Sequence, residues 1–220
     1  MLAPDIDRAR LNMIEQQIRP CEIIDERVLQ TLQSVPREQF VSDQYRGLAF
    51  ADIHVPLGDD KLMMKPIQEG LMLQALNVQP GDRVLEIGTG SGFVTACLQR
   101  LGGKVTSYEI DAALSSQAGE RLAALGIDDV KLVVGDIFEA ELESAAFDVI
   151  AVTGSLPMRS ESLERLLAPG GRMFVIQGEG PVMEATLLTR SASGELLSEA
   201  LCETALPALH NAPQPEHFRF

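Results

Sequence analysis

Basic residues are scarce. Lysine and arginine number 18 against 32 aspartates and glutamates, which leaves a formal net charge of −14 over 220 residues. That balance disfavours the phosphate backbone of nucleic acid and an anionic membrane surface, and no long basic cluster offsets it locally. No uninterrupted apolar run is long enough to span a bilayer, and the first residues are polar and helix-forming rather than a secretory signal. Cys21, Cys97 and Cys202 are odd in number and far apart, with no C-x-x-C. Reduced thiols in the cytoplasm fit that pattern better than a disulfide framework or a zinc site. His54, His210 and His217 form no cluster at a familiar ligand spacing, so no metal is expected. Internal repeats and low-complexity tracts are also missing. What remains is an ordinary globular balance, 23% charged and 45% hydrophobic, at a length that suits one well-buried domain.

One stretch organises the chain: Arg83-Val-Leu-Glu-Ile-Gly-Thr-Gly-Ser-Gly-Phe93. A short apolar run breaks into Gly88, Gly90 and Gly92, with Thr89 and Ser91 between them, and continues as a helix over Phe93 to Leu101. Strand, glycine loop and helix make the first turn of a nucleotide-binding α/β unit. The glycines let the chain turn tightly and let a ligand lie against bare backbone. The spacing is G-x-G-x-G, and Phe93 stands where a dinucleotide pattern needs its third glycine. No Gly-Lys-Ser/Thr follows, which excludes a P-loop. Glu86 precedes the loop. A carboxylate at the mouth of the loop would repel a pyrophosphate and suit a cation. S-adenosylmethionine, with an ammonium, a sulfonium and no phosphate, meets that description. A strand-to-helix turn whose glycines serve only packing is the plainer alternative.

Before this unit, residues 6–19 place Ile6, Leu11, Ile14 and Ile18 roughly on one helical face, and Pro20 ends that helix. Asp25 reads as the N-cap of a second helix, Glu26 to Ser34. Together they form an N-terminal helical cap. Residues 36–66 read as mostly irregular, and an irregular segment of that length is usually functional. Pro66 opens a helix that runs from Ile67 to Leu76. After the glycine loop, strands at Lys104–Ile110, Val130–Asp136, Phe147–Thr153 and Arg172–Gln177 alternate with helices at Ala112–Leu125 and Ser160–Leu167. Asp111 caps the first of those helices. This order predicts an α/β fold, Rossmann-like, with a mainly parallel seven-stranded sheet covered by helices on both faces. Met183–Arg190 and Leu197 to about Leu206, joined by Ser191-Ala-Ser-Gly194, predict a C-terminal antiparallel hairpin.

In such a sheet a ligand lies outside the carboxyl ends of the strands. Polar residues recur there: Glu86, Glu109, Asp136 after Gly135, and Thr153. Glu109 falls about twenty residues after the first glycine, the distance expected of a ribose-binding acid. A carboxylate there can accept two hydroxyl hydrogen bonds. Asp136 is assigned to the adenine amino group, with Ile137 against the ring. Taken singly, each acid also reads as a solvated strand end or a helix cap.

These residues resemble the class I S-adenosylmethionine-dependent methyltransferases and, more narrowly, the bacterial protein-L-isoaspartate O-methyltransferases. The resemblance spans about residues 8 to 190 and rests on Val35-Pro36-Arg37-Glu38-x-Phe40-Val41, on Leu48-Ala49-x-x-Asp52-x-x-x-Pro56-Leu57-Gly58 and on the glycine stretch. Phe147-Asp148, Val152-Thr153 and Leu167-Ala-Pro-Gly-Gly-Arg172 add to it. It implies a protein-repair enzyme that uses S-adenosylmethionine to methylate the misplaced carboxylate of an isoaspartyl residue. The family holds that carboxylate with a serine, in a segment like Ile-Ser-Gln-Pro. Here Met63-Met64-Lys65-Pro66 stands in its place, with Met64 at the serine and Lys65 at the glutamine. A thioether donates no hydrogen bond. Three readings stay open: an isoaspartyl enzyme in which Lys65 or Lys61 supplies the positive partner; a same-fold enzyme with a different, small-molecule acceptor; and a non-catalytic protein that binds S-adenosylmethionine. Met63 and Met64 also read as apolar packing, and Lys65 as a solvated charge. The expected division is 1–80 as helical cap and acceptor-side loop, 81–180 as donor-binding core, and 181–220 as hairpin and tail. Either a monomer or a homodimer fits.

Overall fold

The computed structural model describes residues 5–215. His217 and the outermost ends of the expected division lie outside the described residues. Helix α1 covers Ile6–Met13 and continues as a wide π turn over Ile14–Ile18. This corrects the even helical face expected there. Met13, Ile14 and Ile18 are buried, but Ile6 and Leu11 are exposed. The π turn breaks the uniform angular step on which that face was drawn, and the first turn, residues 5–8, is exposed throughout. Helix α2, Glu26–Ser34, starts at Asp25, whose carboxylate accepts from the Arg27 and Val28 amides.

The segment expected to be irregular contains a small hairpin, β1 at Val55–Gly58 and β2 at Lys61–Met63. Its turn is Asp59-Asp60, with Asp59 in the left-handed region. Helix α3, Pro66–Leu76, follows directly. The large sheet then begins with β3 at Arg83–Ile87, α4 at Phe93–Arg100 and β4 at Lys104–Glu109. Helix α5 at Ala112–Ala124, β5 at Val130–Val134 and β6 at Phe147–Leu156 come next. Helix α6 is only Glu161–Glu164, shorter than expected, because β7 starts early and covers Leu167–Gln177. Phe147 pairs with Leu167 and Val149 with Arg172, so Pro169-Gly170-Gly171 bulges out of β7 instead of preceding it. The hairpin of β8, Met183–Arg190, and β9, Leu196–Thr204, completes the sheet.

Strand order is β5-β4-β3-β6-β7-β8-β9, parallel as far as β7 and antiparallel beyond it. Successive residues face opposite sides. Val149 and Ala151 join the core under α2, α3 and α4, and Ile150 and Val152 join the core on the other face. That second face is covered thinly, by α6, by residues around Ile137 to Leu142 and by Leu209 and Ala212 of the tail. Between β3 and β6 the winding reverses direction. The crevice at that switch point, outside the carboxyl ends, is where an open α/β sheet binds its ligand. The described residues include no helix long and apolar enough to cross a membrane.

Candidate functional site

Three adjoining hollows open at the switch point. The largest, about 450 Å³, is lined by Gly88, Gly90, Glu109, Thr153, Lys61 and Leu209 among others. A second runs on past Glu109 to Asp136, Ile137 and Phe138. The third, about 30 Å³, lies between the glycine loop and the β1–β2 hairpin, against Leu57, Leu62, Met63, Met64, Ser91 and Val94. An open depression of about 500 Å³ elsewhere, at Ile6, Glu38, Arg46, Glu120 and Arg121, is larger, but no glycine-loop residue lines it. Chemistry, not volume, picks the first group.

The loop geometry explains its glycines. Gly88, Gly90 and Gly92 all have φ in the left-handed region, at 95°, 52° and 89°. A Cβ on Gly88 would lie 2.4 Å from Thr153 Oγ1, and one on Gly92 would press on Ala118 of α5 at 3.1 Å. Only glycine fits both the conformation and the space. The loop is tied down at its back. Gly88 and Thr89 amides both donate to the Tyr108 carbonyl, at 2.8 and 3.2 Å. Arg121 donates to the Ser91 carbonyl at 3.2 Å, and Thr153 Oγ1 donates to the Ile87 and Gly88 carbonyls. Ser91 Oγ accepts from the Phe93 amide. The loop is therefore preorganised, with bare backbone toward the cleft.

Glu109 is 95% buried, and its carboxylate sits on the cleft floor. Oε2 accepts from the Gly90 amide at 2.8 Å and Oε1 from the Asp111 amide at 3.0 Å. Each oxygen retains a lone pair for a further donor. Asp136 is held in the same manner: Oδ1 accepts from the Phe138 amide and Oδ2 from the Asn211 side chain. Ile137 lies beside it on the wall of the second hollow. The structure thus brings Gly88, Thr89, Gly90, Ser91, Glu109, Asp136, Ile137, Thr153 and Met64 to one cleft.

Three expected residues are placed differently. Gly92 lines none of the three hollows, because it turns the chain into α4 as its N-cap and packs against Ala118 of α5. Glu86 does not line the cleft. It is fully buried beneath the loop, where its Oε2 accepts from Thr95 Oγ1 and Ser107 Oγ, both at 2.5 Å. Strand alternation puts it on the α4 side with Val84, so the expected carboxylate at the mouth of the loop is corrected to one under it. Burial pushes its carboxyl up to about 8, against the pull of the two hydroxyls. Lys65 is also absent from the cleft lining. It caps α3, with its amide donating to Gln68 Oε1 at 2.9 Å. The proline that follows it dictates that role.

Of the other lining residues, the sequence offers only Lys61, as a positive partner for the acceptor. Leu57, Lys61 and Leu62 reach the cleft because the hairpin folds over the loop; Leu57 Cδ1 comes within 3.1 Å of where a Gly90 Cβ would be. Lys61 Nζ lies 3.2 Å from Asp111 Oδ2 and 3.6 Å from the exposed Asp59, and the Asp111 bond raises its pKa. It is the one lysine or arginine among the residues lining the three hollows. The tail residues Leu206 to His210 form the remaining wall. The backbone of Ser155 holds them by donating to the Pro207 carbonyl and accepting from the Leu209 amide, both at 2.9 Å. The apolar Val55 and Leu57 before Asp59-Asp60, and Leu62 and Met63 after it, were a usable hairpin signal. The tail carries no such periodicity.

Comparison with known proteins gives a consistent result. A family model described as protein-L-isoaspartate(D-aspartate) O-methyltransferase matches residues 8–208. A protein-L-isoaspartate O-methyltransferase of Methylorubrum extorquens is 40% identical over 191 residues, which cover 87% of this chain and 82% of that protein. One from Roseiflexus castenholzii is 36% identical over 199 residues, 90% of each chain. The crystal structure of a Plasmodium falciparum protein-L-isoaspartate O-methyltransferase, in complex with S-adenosyl-L-homocysteine, superposes with a TM-score of 0.79. It is 22% identical and covers 93% of this chain and 98% of its own, a likeness of fold.

Proposed function

From membership of the protein-L-isoaspartate(D-aspartate) O-methyltransferase family, to which this chain belongs, we propose that it is an S-adenosylmethionine-dependent methyltransferase that esterifies L-isoaspartyl carboxylates in damaged proteins. The observation that carries this is the match of that family over residues 8–208, on a chain whose glycine loop, Glu109 and Asp136 face one cleft.

The residues present fit the donor. Bare backbone at Gly88 and Gly90 leaves room that a side chain would fill. Glu109 would hold the ribose hydroxyls. Asp136 would accept from the adenine amino group, with Ile137 and Phe138 beside the ring. Bound S-adenosylmethionine supplies a methyl group already activated by its sulfonium. The acceptor carboxylate is already a nucleophile, so this chain's task is to place one oxygen in line and exclude water. Leu57, Leu62, Met63, Met64 and Val94 make the corner beyond Gly90 dry. Lys61 stands on the cleft wall as the cation for the acceptor carboxylate. Lys65, occupied at the start of α3, is not assigned that role.

Peptide mass spectrometry tests the proposal. An isoaspartyl peptide should gain one methyl group and then lose methanol as the ester collapses to a succinimide. Its aspartyl twin should do neither, and equal methylation of both would refute the isoaspartyl assignment.

One observation favours a second reading. Besides its apolar side chains, the corner offers three hydroxyls, of which Thr89 is engaged with Ser107 and Thr153 with loop carbonyls, while Ser91 accepts from the Phe93 amide and keeps its hydrogen to donate. An apolar small-molecule acceptor would suit such a surface. Methylation of a metabolite extract with no transfer to the isoaspartyl peptide would select it.

A further inference from the structure

Glu86, the one acid of the glycine motif, does not reach the cleft. Its carboxyl group occupies a junction between three elements. Oε2 receives the Thr95 hydroxyl from α4 and the Ser107 hydroxyl from β4. Ser107 is itself 2.6 Å from Thr89 Oγ1, in the loop. Thr89, Ser107, Glu86 and Thr95 are each 3% exposed or less. A continuous chain of side chains thus runs from the loop that lines the cleft to the helix behind it.

The other oxygen, Oε1, is buried without a hydrogen-bond partner. Among the described residues no cation pairs with this carboxyl. The facing groups are uncharged or negative. Glu109 on β4 repels an ionised Glu86, and Cys97 on α4 keeps its thiol protonated because burial pushes its pKa well up. Arg37, beyond Cys97, is committed to Glu69 at 2.8 Å. On the β6 side the register partner is Ala151. A charged carboxylate in this place would be desolvated and uncompensated. A neutral acid keeps both hydroxyl contacts without that cost.

We propose that Glu86 is a positioning residue for methyl-donor binding: as a neutral acid it ties Thr89 of the glycine loop, through Ser107, to Thr95 of α4, and it does not touch the donor. Ionisation of the group breaks the arrangement, because water or a shifted loop must come in to solvate the charge. The loop then loses its fixed relation to Glu109. The high pKa of this carboxyl places that transition near pH 8. The inference rests on the donor cleft described above.

Calorimetric titration of the full chain with S-adenosylhomocysteine at pH 7 and pH 9 tests it, for the parent and for Glu86→Gln. The ligand's own amine titrates equally for both proteins, so the readout is the ratio of their dissociation constants. That ratio, parent over variant, should rise about tenfold between the two pH values, since only the protonated parent binds well. A ratio that stays constant overturns the proposal. So does a variant that binds more weakly than the parent by one factor at both pH values, the mark of a direct charge contact with the donor. Should Glu86→Gln fail to fold, Ser107→Ala decides: it lies off the cleft, and at pH 7 it should weaken binding severalfold with the melting transition kept. Unchanged affinity there overturns the role. A parent that binds no ligand at either pH overturns the donor cleft itself, a distinguishable result.

Discussion

The side-chain amide of Asn211 donates to Asp136 Oδ2 at 2.7 Å, and so fastens the C-terminal tail to the loop after β5. The contact joins residues 75 positions apart across the mouth of the cleft. With Leu209 packed over Gly88 and Gly154, it makes the tail a wall of the cleft. Asn211→Ala frees the tail and leaves Asp136 with one partner. The expected outcome is a donor dissociation constant raised about three- to tenfold, less than a direct hydrogen bond to a charged group is worth, because Asn211 acts through Asp136. Thermal stability should fall modestly: Asn211 is exposed, but its φ of 58° lies in the left-handed region, where alanine is strained. Calorimetry and a thermal melt on the same sample check both.

Glu109 carries more. Its two backbone contacts orient it, and its remaining lone pairs face the cleft. Glu109→Ala removes the proposed ribose contact and also orphans the Gly90 amide. Donor affinity should fall about 10- to 100-fold, the range for hydrogen bonds to a charged acceptor. Affinity within twofold of the parent would remove Glu109 from the site.

Much of this was legible in the chain because it is local. The glycine loop, the Asp25 and Asp111 caps and the parallel strands are written in short windows, and the structure places them there. Glu86 was harder. Strand alternation assigns it to the same face as Val84, but in β3 both faces are buried, so the sequence does not say which one meets the ligand. Lys65 looked free because its role as the start of α3 depends on the hydrogen bond from its amide to Gln68. The tail was silent, since its place is set by long-range contacts with Ser155 and Asp136.

Arg37 shows how the family-like Val-Pro-Arg segment works. It is fully buried, holds Glu69 with two hydrogen bonds, and donates to the Ala49 and Met64 carbonyls. It therefore positions the segment with Met63 and Met64, which carries the proposed acceptor corner. Arg37→Met leaves Glu69 buried and unpaired, and should destabilise the fold by about 3–5 kcal/mol in urea unfolding. Arg37→Lys cannot reproduce the fork and should recover only part of that.

The pH dependence of stability follows from Glu86. Its folded pKa, about 8, is raised by burial above the ordinary carboxyl value of 4.5. Below 4.5 both states hold the proton, and the stabilising contribution is complete. As pH rises from there to about 8, the unfolded chain releases a proton that the folded chain keeps, and the contribution is lost. Glu86→Gln has no proton to lose. The stability gap between variant and parent should grow in the variant's favour from pH 5 to pH 8, by at most about 5 kcal/mol. A gap independent of pH would show Glu86 to be ionised in the folded state.

Met64 tests the acceptor corner. Its side chain is buried against the glycine loop and offers no hydrogen-bond donor. Met64→Ser adds a hydroxyl there. It should lower KM for an isoaspartyl peptide about tenfold or more, the worth of one hydrogen bond to a carboxylate, with donor affinity retained. Isoaspartyl activity that arises only in the variant would mean that the natural acceptor is another molecule.

The most direct test of the central claim is transfer of a labelled methyl group from S-adenosylmethionine to an isoaspartyl peptide, with the matching aspartyl peptide as control and donor binding measured on the same sample. The account predicts label on the isoaspartyl peptide alone. Donor binding with no transfer to that peptide would contradict it.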